Sequence, residues 1–145
     1  MSQGQSITFF IDRCLGKKCI VETLRNAGIT VAIHDEHFAP NAQDVDWLPE
    51  VGQRGWVLLT KDANISKNQV ERIAVAQAKI KMFVLASQQL SGQDMANIFL
   101  KEIVKMQEFV RKNNAPFIAK IYRDKGIEMW KNEQALLDEL EKFLR

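Results

Sequence analysis

The sequence has 145 residues, of which 46% are hydrophobic, and this length and composition suit one ordinary globular domain with a core of its own. Its 20 basic and 18 acidic residues give a net charge of +2, which is too small to indicate a nucleic-acid-binding protein by itself. No apolar run is long enough to span a membrane, and the polar segment 1–6 lacks the features of a signal peptide. We therefore expect a soluble, cytoplasmic protein.

Short apolar runs alternate with amphipathic segments along most of the chain. The β-branched and aromatic runs predict strands over Ile7–Ile11, Ile29–Ile33, Trp56–Leu59 and Met82–Ala86. The apolar spacing predicts helices over Leu15–Ala27, from Asp44 toward Val51, over Gln69–Ala78 and over Gly92–Arg111. Polar composition predicts a loop over His34–Gln43 and a turn over Asn64–Asn68. This alternation predicts an α/β fold of three layers, α/β/α, with a mainly parallel sheet.

The pattern changes after Pro116. Two apolar runs, Phe117–Tyr122 and Ile127–Trp130, flank a polar break and predict a hairpin, and a final helix is predicted over Asn132–Leu144. Without a linker or an internal repeat, we interpret residues 116–145 as an appendage to one domain whose core spans about residues 7–112. Its apolar faces exceed what one small sheet needs to cover, so we expect a homo-oligomer, specifically a dimer.

Four acidic residues lie where such a fold places its ligands. Asp12 and Asp62 directly follow the first and third predicted strands, Asp44 opens a helix, and Asp46 lies beside it. In open α/β sheets, ligands bind beyond the carboxyl ends of the strands. Carboxylates gathered there repel one another unless a cation lies between them. Each acid also has a purely structural explanation, as a helix cap or a turn residue.

The ligand types restrict the metal. Oxygen ligands without histidine or cysteine favour Mg²⁺ or Mn²⁺, and such a metal commonly serves phosphodiester hydrolysis. Cys14 and Cys19 have no partners at zinc-site spacing, so we interpret them as two reduced thiols. His34 and His37 flank two acids in a predicted loop, and we interpret this group as a polar loop.

Several segments together resemble PIN-like domains, in particular the branch related to VapC-type toxins. They are Phe9-Phe10-Ile11-Asp12-Arg13, Leu24-Arg25 to Gly28, Asp44-Val45-Asp46-Trp47-Leu48 and Gly55-Trp56-Val57-Leu58-Leu59-Thr60-Lys61-Asp62. The resemblance implies that Asp12, Asp44 and Asp62 bind the metal and that Asp46 assists. It also implies Mg²⁺-dependent cleavage of single-stranded RNA by the toxin of a toxin–antitoxin pair, with an antitoxin protein as partner. We expect Arg13 and Lys61, which adjoin these acids, to contact the RNA phosphates.

The sequence departs from the family pattern at the end of the fourth strand. Many PIN domains have a further acid there, whereas this chain reads Ala86-Ser87-Gln88-Gln89, with Asp94 following later. A non-catalytic PIN-like binding or regulatory module therefore stays open as an alternative. A haloacid-dehalogenase-type phosphatase is disfavoured because position 14, where it needs a second aspartate, is Cys14, and a receiver domain is disfavoured because Asp12 has no acidic neighbour.

Overall fold

The structure is a computed structural model that describes residues 7–16, 18–61, 67–86 and 89–145, and only the backbone of Asp44 and Val45. Its strands are β1 Thr8–Ile11, β2 Thr30–Ile33, β3 Val57–Thr60, β4 Lys81–Leu85, β5 Phe117–Tyr122 and β6 Gly126–Lys131. They form one sheet in the order β2-β1-β3-β4-β5-β6. Neighbouring strands from β2 to β5 are parallel, and β6 pairs antiparallel with β5.

Helices cover both faces of this sheet. They are α1 Cys19–Asn26, α2 His34–His37, α3 Asp44–Gln53, α4 Gln69–Ala78, α5 Gly92–Lys112 and α6 Glu133–Leu144. Successive residues of a strand point to opposite faces. Phe9 and Ile11 accordingly join a buried cluster with α1 and α5, whereas Phe10 joins a second cluster with α3, α4 and α6. The predicted three-layer α/β/α fold with a mainly parallel sheet is confirmed.

A glycine allows α3 and α4 to pack closely. A Cβ atom built at Gly52 would lie 2.1 Å from the carbonyl oxygen of Ala78 at the end of α4. No side chain fits in that space, so Gly52 sets the distance between these two helices. The helices in turn form the layer over Phe10 and the neighbouring strands.

The C-terminal hairpin continues the central sheet. Residues of β5 are fully buried at Phe117, Ile118, Ala119 and Ile121, and Leu136 of α6 is fully buried as well. The segment that the sequence suggested as an appendage therefore contributes two strands and part of the core. No helix in the described part of the chain combines the length and the apolar character that crossing a membrane requires.

Two local predictions were wrong in part. The first helix begins at Cys19 instead of Leu15, because Arg13–Leu15 form a separate 3-10 turn that ends at Gly16 with a φ of 85°. The predicted loop after β2 begins as the short helix α2, in which the backbone N–H of Phe38 donates to the carbonyl oxygen of His34. Of the predicted polar turn, residues 64–66 lie outside the described residues.

Candidate functional site

Asp12 lies at the carboxyl end of β1, beside the carboxyl end of β3. Ile11 pairs with Leu59 in the parallel register, and the backbone N–H of Asp12 donates to the carbonyl oxygen of Leu59 at 3.0 Å. The Asp12 side chain is 8% exposed, and its Oδ2 accepts a 2.8 Å hydrogen bond from Oγ1 of Thr60. This bond fixes the orientation of a buried carboxylate at the edge of the sheet where ligands bind in such folds.

Cys14 contacts the same two strand ends. Its Sγ lies 3.3 Å from Oγ1 of Thr60 and accepts a 3.4 Å hydrogen bond from the backbone N–H of Lys61. Burial, and after it the negative charge of Asp12, raise the pKa of Cys14 to about 11. The thiol therefore stays protonated near neutral pH and is a weak nucleophile there. The sequence predicted only a reduced thiol at Cys14 and carries no signal for its contact with β3.

Lys61 is the last described residue before Asp62. Its backbone hydrogen bond to Cys14 brings the chain past the end of β3 directly beside the turn that follows Asp12. Asp62 itself lies outside the described residues. Its predicted role as a metal ligand stays a prediction, and so does the phosphate contact expected of the exposed Lys61.

The start of α3 lies at the same edge of the sheet. The Arg13 guanidinium donates a hydrogen bond to the carbonyl oxygen of Pro40, in the loop that leads into α3. The other end of α3 connects through residues 54–56 to the first residue of β3. A helix of this length spans about 15 Å, so its two ends lie at opposite edges of the sheet. The backbone of Asp44 therefore belongs to the edge that holds Asp12, whereas its side chain lies outside the described part of the structure.

Arg13 and Asp46 both have structural partners. Arg13, predicted to contact RNA phosphate, is exposed and holds the loop at Pro40. Asp46 is exposed, and its Oδ2 accepts a 3.1 Å hydrogen bond from the backbone N–H of Gln43, which caps the first turn of α3. The roles predicted for these two residues in binding and catalysis stay predictions.

The predicted metal set is only partly described. Within residues 7–16, 18–61, 67–86 and 89–145, no three His, Cys, Asp or Glu side chains gather closely enough to hold a metal ion. The described residues do not include the side chain of Asp44 or any atom of Asp62. Asp12 has the chemistry of a ligand to a hard cation, because it is a buried carboxylate at a strand end. The convergence of Asp12, Asp44 and Asp62 stays a prediction.

The two histidines belong to an aromatic cluster. His34 is 1% exposed and packs against Phe10, Phe38 and Trp47, with ring centroids at 6.4, 5.5 and 5.8 Å. Neither of its ring nitrogens has a hydrogen-bond partner in the described part of the chain, although Nδ1 lies 3.5 Å from Oδ1 of the neighbouring Asp35. The exposed His37 contacts Trp56 edge to face at 4.9 Å. Packing within the α3 layer accounts for both side chains better than a polar loop does.

Asp94, the acid that follows the fourth strand, caps α5. It accepts a hydrogen bond from the backbone N–H of Ser91, and its own N–H donates to Oγ of Ser91 at 3.0 Å. It also lines a cavity of about 260 Å³ between the start of α5 and the β5–β6 turn, together with Asp124 and the cations Lys101 and Arg123. The cavity lies at the carboxyl edge of the sheet, on the side of the hairpin.

Comparisons with known proteins agree with this architecture. A sequence model described as a PIN like domain matches residues 7–87. A curated protein of Mycobacterium tuberculosis named "Putative ribonuclease VapC45" is 28% identical over 124 residues, which cover 83% of this chain and 89% of that protein. No solved structure matches the chain. The matched residues include β1 to β4 and the edge that holds Asp12. The chain belongs to the PIN-like domain family.

Proposed function

We propose that the protein is an endoribonuclease that cleaves single-stranded RNA with Mg²⁺ or Mn²⁺ held by Asp12, Asp44 and Asp62. The observation that carries the proposal is the buried carboxylate of Asp12, which Thr60 orients at the carboxyl edge of the sheet. The backbone N–H of Lys61, the residue before Asp62, donates to Cys14 in the turn that follows Asp12, and the backbone of Asp44 starts α3 at the same edge. PIN-domain nucleases generally use divalent metals, and the M. tuberculosis relative is named as a ribonuclease.

The chemistry of each side chain indicates its part in the proposed reaction. A hard divalent cation at this edge would supply a nucleophilic water or hydroxide and neutralise charge on the leaving oxygen. Asp12, Asp44 and Asp62 would hold it, because carboxylate oxygens are the ligands that Mg²⁺ and Mn²⁺ prefer. The Thr60 hydroxyl keeps the Asp12 carboxylate in one orientation. Lys61 and Arg13 would bind RNA phosphates, with Arg13 also keeping the loop before α3 in place.

We also propose that the protein is the toxin of a toxin–antitoxin pair and that it forms homodimers in the cytoplasm. The support for a toxin is the name of the M. tuberculosis relative, whose match to this protein covers most of both chains. The support for self-association is exposed apolar surface on α6, where Phe143 is 51% and Leu144 65% exposed. Exposed apolar residues that lie together often mark interfaces between proteins.

The test compares wild type with Asp62→Asn on a mixed single-stranded RNA pool, with Mn²⁺ and with a chelator. We expect wild type to cleave only with metal and Asp62→Asn to be inactive, since asparagine keeps the shape of the side chain but loses its charge. Glu108→Gln, an exposed acid-to-amide change on α5, is the matched control and should leave cleavage unchanged. Metal-independent cleavage, or full activity of an Asp62→Asn protein that melts like wild type, would contradict the mechanism.

The non-catalytic module is the second candidate. It is favoured by the capping role of Asp94, because the acid that follows β4 is engaged with Ser91 at the start of α5. Absence of cleavage by wild type and by Asp62→Asn alike, with intact folding of both, would select this alternative.

A further inference from the structure

The C-terminal hairpin carries an aromatic and basic surface. We define the hairpin surface as Lys120 and Tyr122 of β5, Lys125 of the turn, and Trp130 and Lys131 of β6. Lys120 and Tyr122 are two residues apart on one strand and therefore point to the same face of the sheet. The Nζ atom of Lys120 lies 4.8 Å from the ring centroid of Trp130, so Trp130 is on that face too.

Aromatic rings position the lysines of this surface. Lys125 Nζ lies 5.1 Å from the ring centroid of Tyr122, and Lys131 Nζ lies 5.2 Å from that of Trp130. Within the described residues, neither Lys120 nor Lys125 forms an ion pair with a carboxylate. An ammonium group that lies over a ring uses one side for the cation–π contact and keeps N–H donors for a further partner. Lys125 is exposed and Lys120 is half-buried, and both keep donors for a further partner.

The charge balance of this region favours an anionic partner. The hairpin Phe117–Lys131 has two carboxylates, Asp124 in the turn and Glu128, which pairs with Lys120 across the strands, and Glu139 of α6 lies against it. Glu139 already accepts hydrogen bonds from Lys131 at 2.6 Å and Arg72 at 2.8 Å. The cations of the hairpin are Lys120, Arg123, Lys125 and Lys131, so four positive side chains face two carboxylates within it.

The surface begins at the same edge of the sheet as Asp12. Tyr122 is the last residue of β5, and β5 runs parallel to β4, β3 and β1. Their carboxyl ends therefore form one continuous edge, on which β5 is three strand spacings, or about 14 Å, from β1. Trp130, which is 39% exposed, lies further along the hairpin, away from that edge. The hairpin surface lies beyond residue 87, where the match to the family ends.

We propose that the hairpin surface binds the single-stranded RNA on one side of the cleavage site. The proposal rests on the proposed function, because it assigns the occupant from the substrate of that site. Bases of a single strand are unstacked and can pack against Tyr122 and Trp130, and phosphates accept hydrogen bonds from Lys120 and Lys125. Duplex RNA buries its base faces, so it cannot use the aromatic side chains in this way.

The test measures binding separately from cleavage. A fluorescent single-stranded RNA of about 15 nucleotides is titrated with protein in chelator, where metal-dependent cleavage stops. We expect the double variant Trp130→Leu/Lys120→Gln to bind about 10-fold more weakly, with a smaller dependence of affinity on salt. Trp130→Phe keeps a ring for the cation–π contact and should retain most of the affinity. Lys105→Gln, which removes one exposed charge on α5 at the opposite face, should bind like wild type.

The outcomes separate this proposal from the proposed function. Asp62→Asn should bind RNA in chelator as wild type does, although it does not cleave. If wild type binds RNA through the hairpin surface but never cleaves it, the proposed nuclease is wrong and this inference stands. If the double variant melts, binds and cleaves like wild type, or if wild type binds duplex RNA equally well, this inference is overturned, and metal-dependent cleavage by wild type still decides the proposed nuclease. It is also overturned if wild type binds no RNA in chelator.

Two further measurements test whether weaker binding reflects misfolding and whether the surface binds protein instead of RNA. If the double variant melts below the assay temperature, Lys120→Gln/Lys125→Gln replaces it, since both changes are at lysines on the surface. That variant should weaken binding and reduce the salt dependence, and unchanged binding would overturn the proposal. Light scattering of each variant shows whether the surface joins protein copies. A change of oligomeric state with unchanged RNA affinity would identify a protein interface and overturn the proposal.

Discussion

Thr60 Oγ1 donates a 2.8 Å hydrogen bond to Oδ2 of Asp12, and this contact joins residues that are 48 positions apart in the sequence. Thr60 is fully buried and Asp12 is nearly so. A buried carboxylate that loses a hydrogen-bond donor loses part of what offsets its desolvation cost. The hydroxyl of Thr60 is therefore expected to matter for stability and for the geometry of the proposed metal centre.

Thr60→Val tests this contact. Valine has nearly the shape of threonine but no hydroxyl, so we expect a loss of about 1–2 kcal/mol in the free energy of unfolding and a clear reduction in RNA cleavage. Denaturant unfolding and a cleavage assay at saturating Mn²⁺ measure the two effects. Thr60→Ser keeps the hydroxyl and should stay close to wild type in both. Equal stability of the valine and serine variants would show that the hydrogen bond contributes nothing.

Asp12→Asn tests the metal ligand directly. Asparagine still accepts a hydrogen bond from Thr60 but has no charge to attract a divalent cation. Because metal that binds only the folded state stabilises it, wild type should melt at a higher temperature with Mn²⁺ than with chelator. The variant should lose this rise while melting no lower than wild type in chelator, since it removes a buried charge. A wild-type response to Mn²⁺ would remove Asp12 from the predicted ligand set.

Glu139→Gln tests the ion pairs that connect α6 with α4 and β6. Burial alone would raise the pKa of Glu139, but hydrogen bonds and charges from Lys131 and Arg72 lower it overall. A folded-state pKa below the unfolded value gives stability that is present above the unfolded pKa and lost as pH falls through the folded one. We expect the variant to be about 1–2 kcal/mol less stable at pH 7.

The pH dependence of this stability difference tests the direction of the pKa shift at Glu139. The difference in free energy of unfolding between wild type and Glu139→Gln should shrink as pH falls below the ordinary glutamate range, because the wild-type carboxyl is then protonated. Urea unfolding at several pH values measures it. Asp138→Asn, an exposed acid one position earlier on α6, is the control and should show little dependence. A difference that grows toward low pH would contradict the assignment.

Gly52→Ala tests the close packing of α3 on α4. The added methyl would lie 2.1 Å from the carbonyl oxygen of Ala78, so the helices must separate. Overpacking of this kind costs about 1–3 kcal/mol, and we expect the upper part of that range because the obstacle is backbone. Gly28→Ala is the control for backbone strain alone. Gly28 has a φ of 83°, which disfavours alanine, but no atom lies within 4 Å of the new methyl. Thermal melts of both variants measure the effects, and equal losses would argue against a packing role.

The sequence predicted the secondary structure best where apolar periodicity was long. The bounds of α4, Gln69–Ala78, agree with the structure at both ends, and Asn68 caps this helix through a hydrogen bond to the backbone N–H of Val70. The start of α1 was wrong because the turn from Arg13 to Leu15 depends on local hydrogen bonds and on a positive φ at Gly16, which periodicity does not report. Helix α2 is only four residues long, too short to show a helical period.

The site was predictable only in part, for a topological reason. The position of Asp12 after an apolar run indicated a strand end, and the structure places it there. The contact with Thr60 depends on β1 and β3 being neighbours in the sheet, and the order of strands is not written in any local pattern. The hydrogen bond from Arg13 to Pro40 likewise joins two segments whose proximity follows only from the completed fold.

The buried position of Leu136 has a consequence for folding during synthesis on the ribosome. Residues 7–87, which match the family, leave the ribosome before α6 does, yet Leu136 of α6 packs in the same cluster as Ile118 and Met82. Until α6 emerges, that apolar layer stays partly open to water and to other nascent chains. A chain that stops before α6 would therefore be a target for chaperones and proteases, even though it contains every residue of the proposed metal centre.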